Sequence, residues 1–110
     1  MKQYVIDQLN VPDYEKLLDY LDKNAEKTVM EGVYRLEIPK EHSTPTQLEH
    51  TECQPHYFAV NLTFKKVAFE LLIRSQPKIR CNCIAYATPQ QRDYILHFAD
   101  TMMEQLNIKI

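Results

Sequence analysis

Apolar residues in this chain recur with two different periods, and each period predicts its own kind of element. From Tyr14 to Leu21 they fall at i, i+3, i+4 and i+7, the spacing of one face of an α-helix. From Val33 to Ile38 they alternate with polar residues, as in a half-buried strand. The predicted helices span about 12–24, 45–52 and 89–106, and the predicted strands about 3–8, 28–38, 56–64, 67–74 and 78–86.

Two copies of a Thr-Pro-x-Gln motif, at Thr44–Gln47 and Thr88–Gln91, mark where the second and third helices begin. The threonine is a favoured N-cap, and proline is favoured at the first helical position because it lacks an amide hydrogen. The glutamine at the third position can accept a hydrogen bond from the amide of the cap residue. Each motif therefore predicts a capping box.

The connections between the last three predicted strands are short, which predicts an antiparallel meander. The expected fold is a single α+β domain over 1–110, in the order β-α-β-short α-β-β-β-α, with the two main helices on one face of the sheet. Strands 56–64 and 67–74 join through a two-residue turn or a longer even-numbered loop, and both place the same residues in the core. A three-residue loop at 75–77 would then pair Ile73 with Ile79 and bury Cys81 and Cys83.

The composition excludes several kinds of nucleotide-binding site. Gly32 is the only glycine among 110 residues, where average usage would give about eight. Glycine-rich phosphate loops and dinucleotide fingerprints are therefore excluded. No catalytic signature takes their place, and this favours a protein that is not an enzyme.

Charge and cysteine usage indicate a cytoplasmic protein. The net charge is −2, which argues against a dedicated nucleic-acid binder, and no apolar stretch is long enough for a membrane span. Three cysteines in a chain without a signal sequence are expected to be reduced thiols or metal ligands.

His50, Cys53 and His56 form the first candidate site, with Cys81 and Cys83 as further ligands. On the short predicted helix His50 and Cys53 share a face, and His56 begins the next strand, so imidazole and thiolate could bind one zinc ion. The spacing matches no standard zinc motif. The same residues could instead form a reactive thiol, but Cys53 would lie at the C-terminal end of its helix, where the dipole disfavours a thiolate.

The outer face of the predicted sheet is the second candidate site. A sheet face that contacts only solvent is not expected to carry large apolar residues between its charged residues. Six residues there are predicted to bind a partner: Tyr57, Leu72, Arg74, Arg80, Ile84 and Tyr86. The sequence thus favours a protein-interaction module, forming a homodimer or binding another protein. Its alternative is a zinc or reactive-thiol protein centred on His50, Cys53 and His56.

Overall fold

The computed structural model describes residues 2–109, in which strands are interspersed with three α-helices. The strands are β1 (Gln3–Ile6), β2 (Glu26–Lys27), β3 (Val33–Glu37), β4 (His56–Leu62), β5 (Val67–Glu70), β6 (Leu72–Ser75) and β7 (Ala85–Tyr86). The α-helices are α1 (Val11–Asn24), α2 (Pro45–Glu49) and α3 (Pro89–Gln105), and 3-10 turns at Lys40–His42 and Thr51–Cys53 flank α2. The predicted α+β class is confirmed, and the order of elements is close to the predicted one.

The strand pairs in this range are all antiparallel, and β4 lies at the centre of the sheet. The spatial order is β1-β5-β4-β3-β2, while β6 pairs with β4 beyond the end of β5 and carries β7 on its other side. Leu62 is paired with Val67, so four residues connect β4 and β5. This is the longer even-numbered loop, and the inward face predicted for both strands is preserved.

Capping boxes begin α2 and α3, as the repeated motif predicts. The Thr44 hydroxyl accepts a hydrogen bond from the Gln47 amide at 3.1 Å, and the Gln47 side chain accepts one from the Thr44 amide at 3.0 Å. Thr88 and Gln91 repeat the arrangement at 3.2 and 3.1 Å. Both glutamines are buried, and the side-chain Nε2 of Gln91 donates a hydrogen bond to the Gln47 Oε1 atom at 2.9 Å. The two boxes therefore meet in the interior.

The hydrophobic core lies between one face of the sheet and the helices α1 and α3. Phe58 and Phe69 from the sheet are fully buried together with Leu17 of α1 and Ile95 of α3. This is the arrangement expected from the alternation in the strands and the helical spacing of the leucines. Leu71, which shares the predicted inward face, is only half-buried because the ladder is interrupted between β5 and β6.

The predicted strand at 78–86 is wrong over most of its length. A loop covers residues 76–84, only Ala85–Tyr86 forms a strand, and Ile73 is paired with Ala85 rather than Ile79. Ile79, expected in the core, is 94% exposed. Cys83 is buried as predicted, but Cys81 is only half-buried.

The helices are also short and polar relative to a membrane span. Within residues 2–109 none has both the length and the apolar character needed to cross a bilayer.

Candidate metal centre

The segment that follows α2 brings His50 and Cys53 to one side of the chain. Helix α2 ends at Glu49, and His50 follows as its C-cap. The His50 carbonyl accepts a hydrogen bond from the Cys53 amide at 2.9 Å across the following 3-10 turn. This i→i+3 bond places the two residues one turn apart on the same face. Cys53 is fully buried, while His50 is half-buried.

The loop at 76–84 supplies Cys81 and Cys83. It carries few backbone hydrogen bonds, among them Gln76 to the Pro55 carbonyl at 3.1 Å and Ile84 to the Cys81 carbonyl at 3.0 Å. The second of these closes a tight turn around Asn82. Both cysteines are thereby turned toward the His50–Cys53 segment, more than 25 residues earlier in the chain.

Four donor atoms converge between these two segments. The side chains of His50, Cys53, Cys81 and Cys83 each present one ligand atom, and the four atoms lie within 4.8 Å of one another. His50 Nδ1 is 3.2 Å from Cys81 Sγ, and the sulfur atoms of Cys53 and Cys81 are 3.7 Å apart. We refer to these four residues as the His-Cys cluster.

Neighbouring polar groups hold the backbone on both sides of the His-Cys cluster. The Ser75 hydroxyl donates to the Cys53 carbonyl at 2.6 Å, and the Gln47 side chain donates to the Cys83 carbonyl at 3.2 Å. Ser75 and Gln47 are themselves buried. The cluster is therefore attached to β6 and, through the paired glutamines, to the start of α3.

The thiols of the cluster have divergent acidities. A hydrogen bond from the backbone amide of Cys83, with further bonds from neighbouring side chains, lowers the pKa of the Cys81 thiol to about 7. Burial, with added hydrogen bonding and charge from the other two thiols, raises the pKa of Cys83 to about 12. A negative charge on one sulfur therefore disfavours ionisation of the neighbouring thiol, and a bound cation would offset this repulsion.

His56 lies beside the cluster without contributing a ligand atom to it. As the first residue of β4 it points to the inner face, where it is 4% exposed. Burial, and secondarily the charge of His50, lowers the pKa of its imidazole, and its Nε2 atom has no hydrogen-bond partner among the described residues. Of the three predicted metal ligands, the structure thus brings His50 and Cys53 together and puts Cys81 and Cys83 where His56 was expected.

The six predicted partner-binding residues occupy three places. Tyr57, Arg74 and Ile84 line a common hollow on the outer face of the sheet. Leu72 and Tyr86 face each other in the β6–β7 ladder, where Tyr86 is 46% exposed. Arg80 is exposed in the 76–84 loop.

Comparisons of the chain with protein-family models, with curated proteins and with solved structures gave no match.

Proposed function

We propose that this protein binds one zinc ion through His50 Nδ1 and the sulfur atoms of Cys53, Cys81 and Cys83. The observation that carries the proposal is the convergence of these four donor atoms within 4.8 Å from two segments remote in sequence. One imidazole and three thiolates form a ligand set common in structural zinc sites.

The distances support tetrahedral coordination. With zinc–sulfur bonds of about 2.3 Å, the edge between two sulfur ligands of a tetrahedron is roughly 3.8 Å. The 3.7 Å between Cys53 and Cys81 corresponds to this edge. The longest donor separation, 4.8 Å, needs a contraction of roughly 1 Å, which side-chain rotation in a sparsely bonded loop can supply.

The chemistry of the ligands favours zinc over other common divalent cations. Thiolates are soft ligands, whereas Mg²⁺ and Ca²⁺ require oxygen. Four protein ligands would also close the coordination shell, since a catalytic zinc keeps one position for water or substrate. The proposed role is therefore structural and agrees with the absence of a catalytic signature in the sequence.

The function we assign to the ion is to hold the 76–84 loop against the segment that follows α2. The loop makes few backbone hydrogen bonds, and the strand that follows it, β7, has only two residues. A crosslink between Cys53 and Cys81 through zinc would fix the path of the chain here and offset the entropy of ordering the loop. Because free thiols persist as ligands in a reducing compartment, we place the protein in the cytoplasm.

Metal content and spectroscopy test the proposal. Purified wild-type protein should contain about one zinc per chain, and replacement by Co²⁺ should give the absorption of tetrahedral thiolate coordination. Cys81→Ser and Cys83→Ser should lose stoichiometric metal, because each removes a thiolate. At a free zinc concentration 100 times the dissociation constant, binding should add about 2.7 kcal/mol to the free energy of unfolding of the wild type.

His56→Gln and His97→Ala are matched controls, since His56 is the ligand expected from sequence and His97 is exposed on α3. Both variants should retain the metal. Wild-type protein that takes up neither zinc nor Co²⁺ would overturn the proposal. If His56→Gln lost the metal and Cys83→Ser retained it, the ligands would instead be those predicted from sequence, His50, Cys53 and His56.

Self-association through the outer face stays a prediction beside the zinc proposal. Tyr86 is 46% exposed and Leu72 is half-buried, so apolar area remains there for a second copy. Sedimentation velocity at micromolar concentration checks it: a dimer that Leu72→Glu converts to monomer is expected, and a wild-type monomer would contradict it.

A further inference from the structure

A groove crosses the outer face of the sheet, on the side opposite α1 and α3. It encloses about 370 Å³, within the range of small-molecule sites. The turn between β2 and β3 forms one wall, and a hollow of about 180 Å³ extends the groove toward the 76–84 loop. Arg35, Tyr57 and Arg74 line both parts and therefore lie at the junction.

Two guanidinium groups form the polar end of the groove. The Arg35 guanidinium lies 5.2 Å from the centre of the Tyr57 ring, a stacking contact that orients it. Arg35 meets Glu26 at 3.4 Å, and Arg74 donates from Nε to Glu70 at 3.1 Å. Each guanidinium has five N–H donors, so these single contacts leave capacity for another acceptor. The planar fork of arginine fits a carboxylate in particular.

Apolar side chains form the other end. Val29 and Met30 in the β2–β3 turn are 105% and 65% exposed, and Val33 and Ala59 line the groove beside them. Large apolar residues that are held in water next to a concave surface are typical of a binding site. The charged lining residues are Arg35, Arg74 and Glu70. Glu26 pairs with Arg35 and Glu70 with Arg74, so the groove offers spare guanidinium N–H donors rather than a net positive charge.

We propose that this groove binds a small organic carboxylate with an apolar body, such as a medium-chain fatty acid. The carboxylate accepts hydrogen bonds from Arg35 and Arg74, and the hydrocarbon chain lies against Val29, Met30 and Val33. The free N–H donors of the two guanidinium groups select an acid over an amine, and the volume of the groove suits a molecule of about the size of octanoate. The residues that line the groove do not include any of the four proposed zinc ligands.

Titration with octanoate, octan-1-ol and octylammonium, followed by amide chemical shifts of the full-length protein, tests the proposal. Octanoate should bind, with shifts confined to β3, β4, β6 and the β2–β3 turn, and octylammonium should not. Arg74→Gln should weaken octanoate binding about tenfold or more, because charged hydrogen bonds are the strong ones. Arg92→Gln, exposed on α3, should leave the affinity unchanged.

Met30→Glu is a second variant that keeps the proposal testable if Arg74→Gln fails to fold. Met30 is 65% exposed, so the fold should tolerate the change, and the added carboxylate should weaken octanoate binding about tenfold. Equal affinity for octanoate and octan-1-ol would overturn the proposal, because the arginines would then play no part. Two further outcomes would also overturn the proposal. If hexaglutamate displaced octanoate at a lower concentration, the groove would bind an acidic peptide, and if dimerisation displaced octanoate, it would bind a second copy of the chain.

Discussion

Replacement of Gln47 by leucine is expected to destabilise the fold and to weaken zinc binding in the same variant. The Gln47 side chain is 2% exposed and makes three hydrogen bonds. It accepts from the Thr44 amide at 3.0 Å and from the Gln91 side chain at 2.9 Å, and it donates to the Cys83 carbonyl at 3.2 Å. It therefore joins the cap of α2, the cap of α3 and the His-Cys cluster.

The size of the effect follows from the groups that the substitution leaves without partners. Leucine has a similar volume but no polar atoms, so the Thr44 amide and the Cys83 carbonyl lose their side-chain partner. The side-chain Nε2 of Gln91 still donates a hydrogen bond to the His42 carbonyl at 2.9 Å. Each of these two groups costs about 1 to 3 kcal/mol when it is left without a partner, which gives a loss of about 2 to 6 kcal/mol in the free energy of unfolding. Removal of a group that orients the backbone of a ligand should also weaken zinc binding about tenfold.

Urea unfolding of the zinc-loaded protein and a competitive zinc titration measure the two effects. Gln105→Leu is the matched control, since Gln105 is exposed at the end of α3, and it should stay within about 0.5 kcal/mol of wild type. The double variant Gln47→Leu/Gln91→Leu should lose less than the sum of the single losses, because the two glutamines share a hydrogen bond. A Gln47→Leu protein with wild-type stability and zinc affinity would refute this account of the network.

Two further predictions concern the region around β3. Gly32→Ala should lower the free energy of unfolding by about 2 kcal/mol or more in urea, since Gly32 has φ +81° and a Cβ would lie 2.6 Å from the Leu62 carbonyl oxygen; unchanged stability would contradict this. Burial, then the hydrogen bond to Asp22, raises the pKa of Tyr34 to about 12. The folded state therefore keeps a proton that the unfolded state loses above pH 10, so stability should fall by about 2 to 3 kcal/mol between pH 10 and 12. Tyr34→Phe should reduce the fall by about that amount, since Tyr4 and Tyr94, whose pKa values are also raised, still contribute. A fall as large in Tyr34→Phe as in the wild type would contradict the assignment.

The elements that sequence predicts correctly are those fixed by local chemistry. The caps at Thr44 and Thr88 need only residues three positions away, so the motif alone locates both helix starts. The alternation in β4 and β5 shows which of their side chains face the core, and any connection with an even number of residues keeps them on the same face. The exact loop length is therefore not needed. Strand β2, with two residues, is too short to show any periodicity.

The 78–86 segment was mispredicted because its alternation imitates a strand. Ile79, Cys81 and Cys83 occupy every second position, and cysteine is among the residue types most often buried in cores. The structure instead turns the cysteines toward His50 and Cys53 and leaves Ile79 in water. A pattern of local hydrophobicity cannot distinguish a buried thiol from a thiol that faces a ligand cluster, since both are shielded from water.

The candidate site was half predictable for a related reason. His50 and Cys53 are three residues apart, so a single turn brings them together and the sequence shows it. The other two residues of the His-Cys cluster, Cys81 and Cys83, are brought close to them only by tertiary structure. His56 was grouped with the site by its nearness in sequence, but the alternation of β4 assigns it to the inner face with Phe58.

Strand β6 connects the two proposed sites because successive side chains of a strand point to opposite faces. Arg74 is paired with Tyr57 and lines the outer groove, while Ser75 is paired with His56 and donates to the Cys53 carbonyl. The His-Cys cluster is therefore hydrogen-bonded, through the Cys53 carbonyl, to the end of the same strand that presents one of the two groove arginines. Zinc binding at one face would in this way limit the motion of a ligand-binding side chain at the other, although the sites share no residue.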